Sequence, residues 1–507
     1  MAGGIDMVKT VGEELRAQQR LPTMPYLFLD SSSWPFTVRN ISDMIAEALH
    51  DFRHGAWHAP AGGGEWRFQG RLLARPPCSV PWISQGQEVT SRIPVRVWSL
   101  GLHATLAMEP ESVWTELISS SGLWEITVES VLLENHCNVG NIGRCSHNSA
   151  LIDLMSRHIV KNALARNRIN KFPHVVDHTA LEEEFAHVAR SDPGIASADV
   201  LLCSEPPFFC ALFLGFGKPI FGNIGNPFGA YLLPGEPQEQ FYRRFYEDLA
   251  SNPRNAFSCI SPYLSAMVYW HTGVQLPTIR PLGLYTQATY QPYLKDVLVT
   301  KQIFVFWDAV CVLNDFISSL AQAAEARSSP QAQRYAKTHF VHIKHLVDTS
   351  WASWARHLAI VFLPYDPQQM TFYEFYGMGM PMLVPDIELL PYFTRCGYTN
   401  LQDFAYTRPG WSLPAGELSY AWNENAEVWE LRWWAGLTDF AQAPHLLKWQ
   451  SLTDLLTKLF HSDLEQVTAS MRRESRLWML ESVDFWRDAF ARALDSSDGT
   501  SSLPRKK

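Results

Sequence analysis

Short apolar runs recur along this sequence, and segments with a helical pattern follow them. Residues 197–208 contain one such run, and residues 296–300 (DVLVT) and 358–365 (LAIVFLPY) contain others. Strands of a parallel sheet have this continuous apolar character because helices cover both faces of the sheet. The repeated order of strand and helix therefore predicts an α/β chain with parallel β-sheets.

Length and charge narrow the class of protein further. The chain has 507 residues, which exceeds the usual size of one hydrophobic core and indicates two domains. Its net charge of −9 is spread without long blocks of one sign, so we expect no nucleic-acid partner. We expect most of the 19 tryptophans to fill the core rather than to bind flat ligands.

The distribution of cysteines and the hydropathy of the chain indicate its cellular compartment. The eight cysteines are mostly scattered, which favours free thiols in a reducing environment and predicts a cytoplasmic location. The N-terminal residues lack the apolar centre of a signal peptide, and we expect no membrane span because no apolar run is long enough.

One loop contains residue types that bind zinc. His136, Cys137, Cys145 and His147 lie within residues 136–147, but adjacent His-Cys pairs cannot easily point at one metal ion. A loop with free thiols is therefore the favoured interpretation, and a metal site is the alternative.

Residues 370–386 (MTFYEFYGMGMPMLVPD) place a single acid, Glu374, among aromatic and apolar residues. Thr371, with Glu374 three residues later, matches a capping box and predicts that Thr371 caps a short helix. Gly379 would end this helix, and Pro381 would prevent its continuation. On this interpretation Glu374 has only a structural role.

The position of the same helix allows a second interpretation. It follows the apolar run 358–365, so it begins at the carboxyl edge of a sheet, where ligands of open α/β sheets bind. The free amides and the dipole at a helix start attract phosphate, and a nearby carboxylate can accept hydrogen bonds from ribose hydroxyls. The motif therefore also predicts a nucleotide site.

Asp366-x7-Glu374, followed by Gly379-x-Pro381, resembles the E-x7-E signature of the GT-B glycosyltransferases. Residues 197–208, 217–225 and 258–283 are similar, in order, to elements of the first domain of that family. The resemblance extends over roughly residues 197–390 and implies a GT-B fold. It implies an N-terminal Rossmann-like acceptor domain at 22–285, a donor domain at 290–445 and C-terminal helices at 446–493 that cross back to the first domain. The composition of residues 494–507, rich in Ser, Gly and Asp, predicts a disordered tail.

The resemblance also implies a function. It implies a hexosyltransferase-like enzyme that moves a sugar from a nucleotide-sugar donor to a carbohydrate or glycoconjugate acceptor, with retention of configuration and without a metal or cofactor. Glu374 would bind the ribose, Asp366 would lie near the donor sugar, and Lys301 and Lys344 would neutralise the diphosphate. The expected catalytic residues are Asp366 and Lys301, and the expected donor-binding residues are Glu374, Thr371, Phe372, Tyr373 and Lys344.

Two residues of the first half are candidates for the acceptor side. Glu205 follows a predicted strand at its carboxyl end, where it could line the cleft or only enter a loop. Ser261 and Pro262 predict the start of a helix, and Gly273 predicts its end. His271 ends this predicted helix, where it could contact substrate or only stabilise the helix dipole.

Two other functions stay open. One is a catalytically inactive GT-B scaffold or glycan-binding protein, which the aspartate at the first acid position motivates. The other is a sugar-nucleotide epimerase on the same fold. Neither the donor base, the sugar, the acceptor nor the oligomeric state follows from the sequence.

Overall fold

A computed structural model describes most of the second half of the chain and parts of the first. The described residues are 92–102, 104–121, 123–132, 150–151, 154, 158–161, 174–176, 178–229, 232, 236–300, 309–326, 336–394 and 428–495. They all belong to one compact unit formed by Ser91–Ala163 and Lys171–Lys507. The loop 136–147 and Lys301 lie outside the described residues.

The first sheet contains five parallel strands in the order β2-β1-β5-β6-β7. These strands are β1 (Ile93–Gly101), β2 (Trp124–Leu132), β5 (Val200–Cys203), β6 (Ile220–Ile224) and β7 (Ala256–Cys259). Every residue of β5, β6 and β7 is buried, as expected for strands with both faces covered. Two further strands, β3 (Ile159–Lys161) and β4 (His174–Val176), form a separate antiparallel pair.

The second sheet also contains five parallel strands, in the order β12-β11-β10-β8-β9. They are β8 (Val297–Val299), β9 (Phe340–His342), β10 (Ala359–Val361), β11 (Met382–Pro385) and β12 (Leu447–Trp449). The described residues therefore form two parallel sheets, and the predicted α/β fold class is confirmed.

Helices connect the strands of both sheets. Those of the first half are α1 (Ala104–Ser112), α2 (His178–Ala189), α3 (Pro193–Ser197), α4 (Phe209–Leu212), α5 (Glu236–Arg244) and α6 (Pro262–Thr272). Those of the second half are α7 (Ala309–Ala326), α8 (Trp351–Trp354), α9 (Met370–Met378), α10 (Leu390–Thr394), α11 (Val428–Gly436), α12 (Asp439–Gln442), α13 (Leu452–His461) and α14 (Leu464–Leu494). A π-helical turn, Val113–Ile118, continues α1.

Helix α6 shows how local sequence sets helix ends. Ser261 is its N-cap and accepts a hydrogen bond from Leu264 N, and Pro262 is its first residue. Gly273 ends it with a left-handed φ of 74°. These ends agree with the sequence analysis because each depends on residues that are neighbours in the chain.

The long C-terminal helix α14 joins the two sheets. Near its middle, Trp478 stacks on Tyr376 of α9 with ring centroids 4.5 Å apart. Near its end, Phe490 contacts Trp114 and Phe221, which belong to the first half of the chain. One buried apolar cluster consequently runs from the first sheet through α9 and α14, and a second cluster covers the opposite face of the second sheet.

No helix within the described residues combines the length and the apolar character that a membrane span requires.

The expectation of free thiols is wrong for one pair of cysteines. Cys203, the last residue of β5, forms a disulfide with Cys210 in α4. The seven-residue separation is short, but the turn after β5 brings the two sulfurs together, which sequence spacing alone did not show. Cys259 is a buried free thiol. The cytoplasmic location stays a prediction.

Non-reducing peptide mapping tests this disulfide. In protein purified without reductant, denatured and alkylated, we expect Cys203 and Cys210 to appear in one linked species and Cys259 to be alkylated. Cys259 serves as the internal control because denaturation exposes it. Alkylation of both Cys203 and Cys210 before reduction would contradict the pairing.

Candidate functional site at the carboxyl edges of the two sheets

Each sheet has one point where the strand order reverses. In the first sheet the chain proceeds to one side from β1 and then continues from β5 on the other side. In the second sheet the same reversal lies between β8 and β10. Ligands of open α/β sheets bind outside the carboxyl ends of the strands at such a point. The fold therefore indicates two candidate positions, one on each sheet.

The loops after β8 and β10 are joined at the reversal point of the second sheet. Thr300 follows β8, and its Oγ1 accepts a hydrogen bond from Leu363 N, 2.8 Å away. Asp366 lies three residues further on, and its carboxylate accepts a 3.4 Å hydrogen bond from Gln368 N. This loop leads directly into helix α9, so the start of α9 lies at the predicted ligand position.

The predicted capping box is wrong. Helix α9 begins at Met370, so Thr371 lies inside its first turn, and the N-cap residue Gln369 makes no side-chain capping bond. The helix begins earlier than the motif indicates, and the carboxylate of Glu374 is used elsewhere. Gly379 ends α9 in the left-handed conformation, as predicted, with a φ of 78°.

Gln368 lies just before the start of α9, and its side chain is notable for its burial and its hydrogen bonding. Its side chain is only 7% exposed. Within the described part of the chain, neither its Oε1 nor its Nε2 has a hydrogen-bond partner. A buried amide without partners is costly, so this side chain, beside uncapped helix amides, is a candidate to bind a polar ligand.

Glu374 lies on the side of α9 and is buried among protein donors. Its Oε1 accepts a hydrogen bond from the Tyr285 hydroxyl at 2.9 Å, and its Oε2 accepts one from Trp351 Nε1 at 3.0 Å. Burial raises the pKa of Glu374, while these two donors lower it. Its predicted contact with ribose stays a prediction.

The neighbouring residues of α9 pack it against both halves of the chain. The Tyr373 hydroxyl donates to Asp439 Oδ2 at 2.6 Å and also lies 3.1 Å from Ile260 O, just after β7. Asp439 also forms a buried ion pair with Arg280 Nε at 2.8 Å. Phe372 is fully buried against Phe362 and Phe440. Since Ile260 marks the carboxyl edge of the first sheet, α9 bridges the carboxyl edges of both sheets.

The segment that connects the two sheets crosses α9 at close range. We call Arg280–Thr286, residues 280–286, the crossover segment. A Cβ atom added to Gly377 of α9 would lie 2.2 Å from Leu282 O. On its other side, Glu109 of α1 accepts hydrogen bonds from Leu282 N at 2.6 Å and from Gly283 N at 3.0 Å. Burial raises the pKa of Glu109 to about 7, although both amide bonds act to lower it.

Glu205 lies at the reversal point of the first sheet. It follows β5, its carbonyl oxygen accepts a hydrogen bond from Leu102 N at 2.8 Å, and its buried carboxylate accepts one from Asn226. This location is compatible with the expected acceptor role, which stays a prediction.

The remaining predicted residues are more distant from the start of α9. Lys344 is exposed in the turn after β9, two strands from β10, or about 10 Å away in the plane of the sheet. His271 is fully buried and stacks on Tyr242 with ring centroids 4.7 Å apart. Because α6 begins at the carboxyl edge and His271 ends it, His271 lies toward the opposite edge, which does not favour contact with an acceptor.

Within the described residues, no cluster of three His, Cys, Asp or Glu side chains could hold a metal ion.

The sequence analysis did not identify Gln368, Glu109, Asp439 or Tyr285. For Gln368 a signal existed, because it lies between the predicted strand and helix at the edge where ligands bind. The other three are separated from α9 by many residues in the chain, and only the fold brings them together.

Several solved structures of glycosyltransferases are similar to this chain at low identity. The glycosyltransferase SnogD from Streptomyces nogalater is 11% identical, with 79% of this chain and 100% of that chain covered and a TM-score of 0.34. A UDP-glucosyltransferase from Polygonum tinctorium is 9% identical, with 78% and 100% covered and a TM-score of 0.34. The spinosyn forosaminyltransferase SpnP is 11% identical, with 76% and 95% covered and a TM-score of 0.33.

No protein-family model matches the sequence, and no curated protein matches it.

Removal of one hydroxyl group tests the role of Tyr373. We expect Tyr373→Phe to lower the free energy of unfolding by about 1–3 kcal/mol, because buried Asp439 loses one of its two donors. Urea unfolding followed by tryptophan fluorescence measures the change. The matched control is Tyr376→Phe, which removes a hydroxyl that donates to Pro444 O and should cost about 1 kcal/mol or less. Equal losses in the two variants would argue against a special role for the Asp439 contact.

The raised pKa of Glu109 predicts a pH dependence of stability. Between its ordinary value of 4.5 and about 7, the folded state holds a proton that the unfolded state releases. The contribution of Glu109 to the free energy of unfolding therefore falls as pH rises through this window, by about 3 kcal/mol. It is constant above and below the window.

The difference in the free energy of unfolding between wild type and Glu109→Gln isolates this contribution, because other groups titrate equally in both. Glu111→Gln is the matched control, since Glu111 is equally buried in α1 but contacts Ser130. If the difference for Glu109→Gln does not vary with pH between 4.5 and 7, the raised pKa is refuted.

Proposed function

We propose that this chain is a glycosyltransferase with GT-B architecture, which binds the diphosphate of a nucleotide-sugar donor at the start of helix α9. The observation that carries the proposal is the buried, partnerless amide of Gln368 beside a helix start without a side-chain cap. Two features support a nucleotide site beside this amide. It lies at the reversal point of the second sheet, and α9 faces the carboxyl edge of the first sheet.

The chemistry of the helix start suits a diphosphate. The first amides of α9 have no carbonyl partners within the helix, and the helix dipole places partial positive charge there. The Gln368 Nε2 atom can donate to a phosphate oxygen, and the Thr371 hydroxyl lies in the same turn. These donors would stabilise the charge that develops on the leaving diphosphate during transfer.

Asp366 is the acid nearest to this position in the chain, at the loop between β10 and α9. We propose that it lies beside the donor sugar, and that Glu205 lies on the acceptor side at the reversal point of the first sheet. Retention of configuration is part of the proposal and depends on the resemblance of Asp366 and Glu374 to the paired acids of the family. Lys301 and Lys344 are proposed to contribute charge from the neighbouring loops.

Titration with nucleoside diphosphates tests the proposal. We expect at least one of UDP, GDP, ADP or dTDP to bind the wild type in calorimetry, and Gln368→Ala to weaken that binding by about tenfold, since a hydrogen bond to a charged group is lost. Gln442→Ala is the matched control because Gln442 is exposed and contacts only Gly436 O on α11. Absence of binding by all four nucleotides, or equal binding by Gln368→Ala, would overturn the proposal.

One observation favours a second candidate, a catalytically inactive member of the same fold. Glu374 is only 3% exposed and both of its oxygens already accept hydrogen bonds, from Tyr285 and Trp351, so this structure does not present it to a ribose. Hydrolysis or transfer of the sugar from a bound donor would exclude this candidate. The anomeric configuration of the product, measured by NMR, would test retention in the same experiment.

A further inference from the structure

The crossover segment is held on two sides by buried carboxylates. On one side, the two oxygens of Glu109 accept the amide hydrogens of Leu282 and Gly283. On the other side, Glu374 accepts the hydroxyl hydrogen of Tyr285. These three hydrogen bonds therefore connect α1, which lies on the first sheet, to α9, which begins at the proposed donor site.

The packing leaves little space for independent movement of these parts. Gly377 of α9 lies against Leu282 O so closely that a Cβ atom could not be accommodated. Gly283 approaches the backbone of Tyr373 and Glu374 in the same way, since its added Cβ would lie 3.3 Å from Tyr373 O. A shift of Leu282 or Gly283 must consequently move α9.

The groups that face Glu109 are acidic or neutral. Glu374 on α9 and Glu116 in the π-helical turn are the charged groups that act on it, and Tyr285 in the crossover segment is buried and neutral. Burial and these like charges oppose ionisation of Glu109, which raises its pKa to about 7. Its state of protonation therefore changes near neutral pH.

Protonation changes what Glu109 can hold. As a carboxylate it accepts hydrogen bonds at both oxygens, which matches the two amides of Leu282 and Gly283. As a carboxylic acid it carries a hydrogen on one oxygen, so one of the two amides loses a good acceptor. The ionised form holds the crossover segment through two bonds and the neutral form holds it through one. These two bonds lower the pKa of Glu109, so a state that loses them while Glu109 stays buried favours the neutral form. Global unfolding exposes Glu109 to water and favours the ionised form instead.

We propose that Glu109 is a positioning residue that acts through Leu282, Gly283 and Tyr285 to fix Glu374 and the start of α9, and that its protonation loosens the crossover segment and weakens donor binding. The effect on donor binding depends on the function proposed above. The effect on the crossover segment does not depend on that function.

Hydrogen exchange of the two amides tests the effect on the crossover segment. We expect the protection factors of the Leu282 and Gly283 amides in the wild type to fall when the pH is lowered from above to below the pKa of Glu109. In Glu109→Gln they should be low and independent of pH. The Ile279 amide, which donates to Cys259 O, is the reference within each sample. Glu111→Gln should behave as the wild type.

If Glu109→Gln does not fold, the exchange measurement on the wild type is sufficient to test the proposal. Protection of Leu282 and Gly283 that follows Ile279 at every pH would overturn the proposal.

Binding of a nucleoside diphosphate tests the effect on the site. With UDP or dTDP as probe, we expect Glu109→Gln to weaken binding about fivefold above the pKa of Glu109 and to match the wild type below it. A purely structural role of Glu109 predicts the same ratio at both pH values, and that result would overturn the positioning role. If neither probe nor any other nucleoside diphosphate binds the wild type, the proposed function fails, while the exchange measurement still decides whether Glu109 holds the crossover segment.

Discussion

The contact between the crossover segment and helix α9 is the constraint on which the arrangement of this chain depends. Leu282 O lies where a side chain of residue 377 would begin, so only glycine allows the two backbones to approach this closely. The approach brings Tyr285 to Glu374 and, on the opposite side, the amides of Leu282 and Gly283 to Glu109. The position of α9 between the two sheets follows from it.

Buried carboxylates make this junction specific. Glu109, Glu374 and Asp439 are each almost fully buried, and each has at least two hydrogen-bond donors. An acid in such a place is costly unless its partners are correctly positioned, so these residues oppose other alignments of the two sheets more than they add net stability. Aromatic rings of α9 and α14 fill the space around them.

The sides and the first turn of helix α9, which has nine residues, have different roles. Its sides pack against the crossover segment, α12 and α14, and these contacts occupy Tyr373, Glu374 and Tyr376. Its first turn has no side-chain cap and lies beside Gln368 at the carboxyl edge of the second sheet. The division explains why a motif that resembles a nucleotide-binding signature is also rich in residues of the core.

The sequence by itself determined the features that depend on near neighbours in the chain. The α/β class, the caps of α6 and the glycine end of α9 were predicted because apolar runs and capping residues act over a few positions. Strand β1, at residues 93–101, is not among the predicted strands because Pro94, Arg96 and Ser99 interrupt its apolar run. The first residue of α9 was also misplaced, since the Thr371 motif competes with a longer helix.

Only the tertiary structure decided which residues meet. Strand order, which locates both reversal points, is not encoded in any local pattern. Glu109 lies 173 residues from Leu282 and Tyr285 lies 89 residues from Glu374, so neither contact has a signature in the spacing of the sequence. The partner of a buried charge is selected by packing over the whole core, and that selection assigned Glu374 to the junction between the sheets.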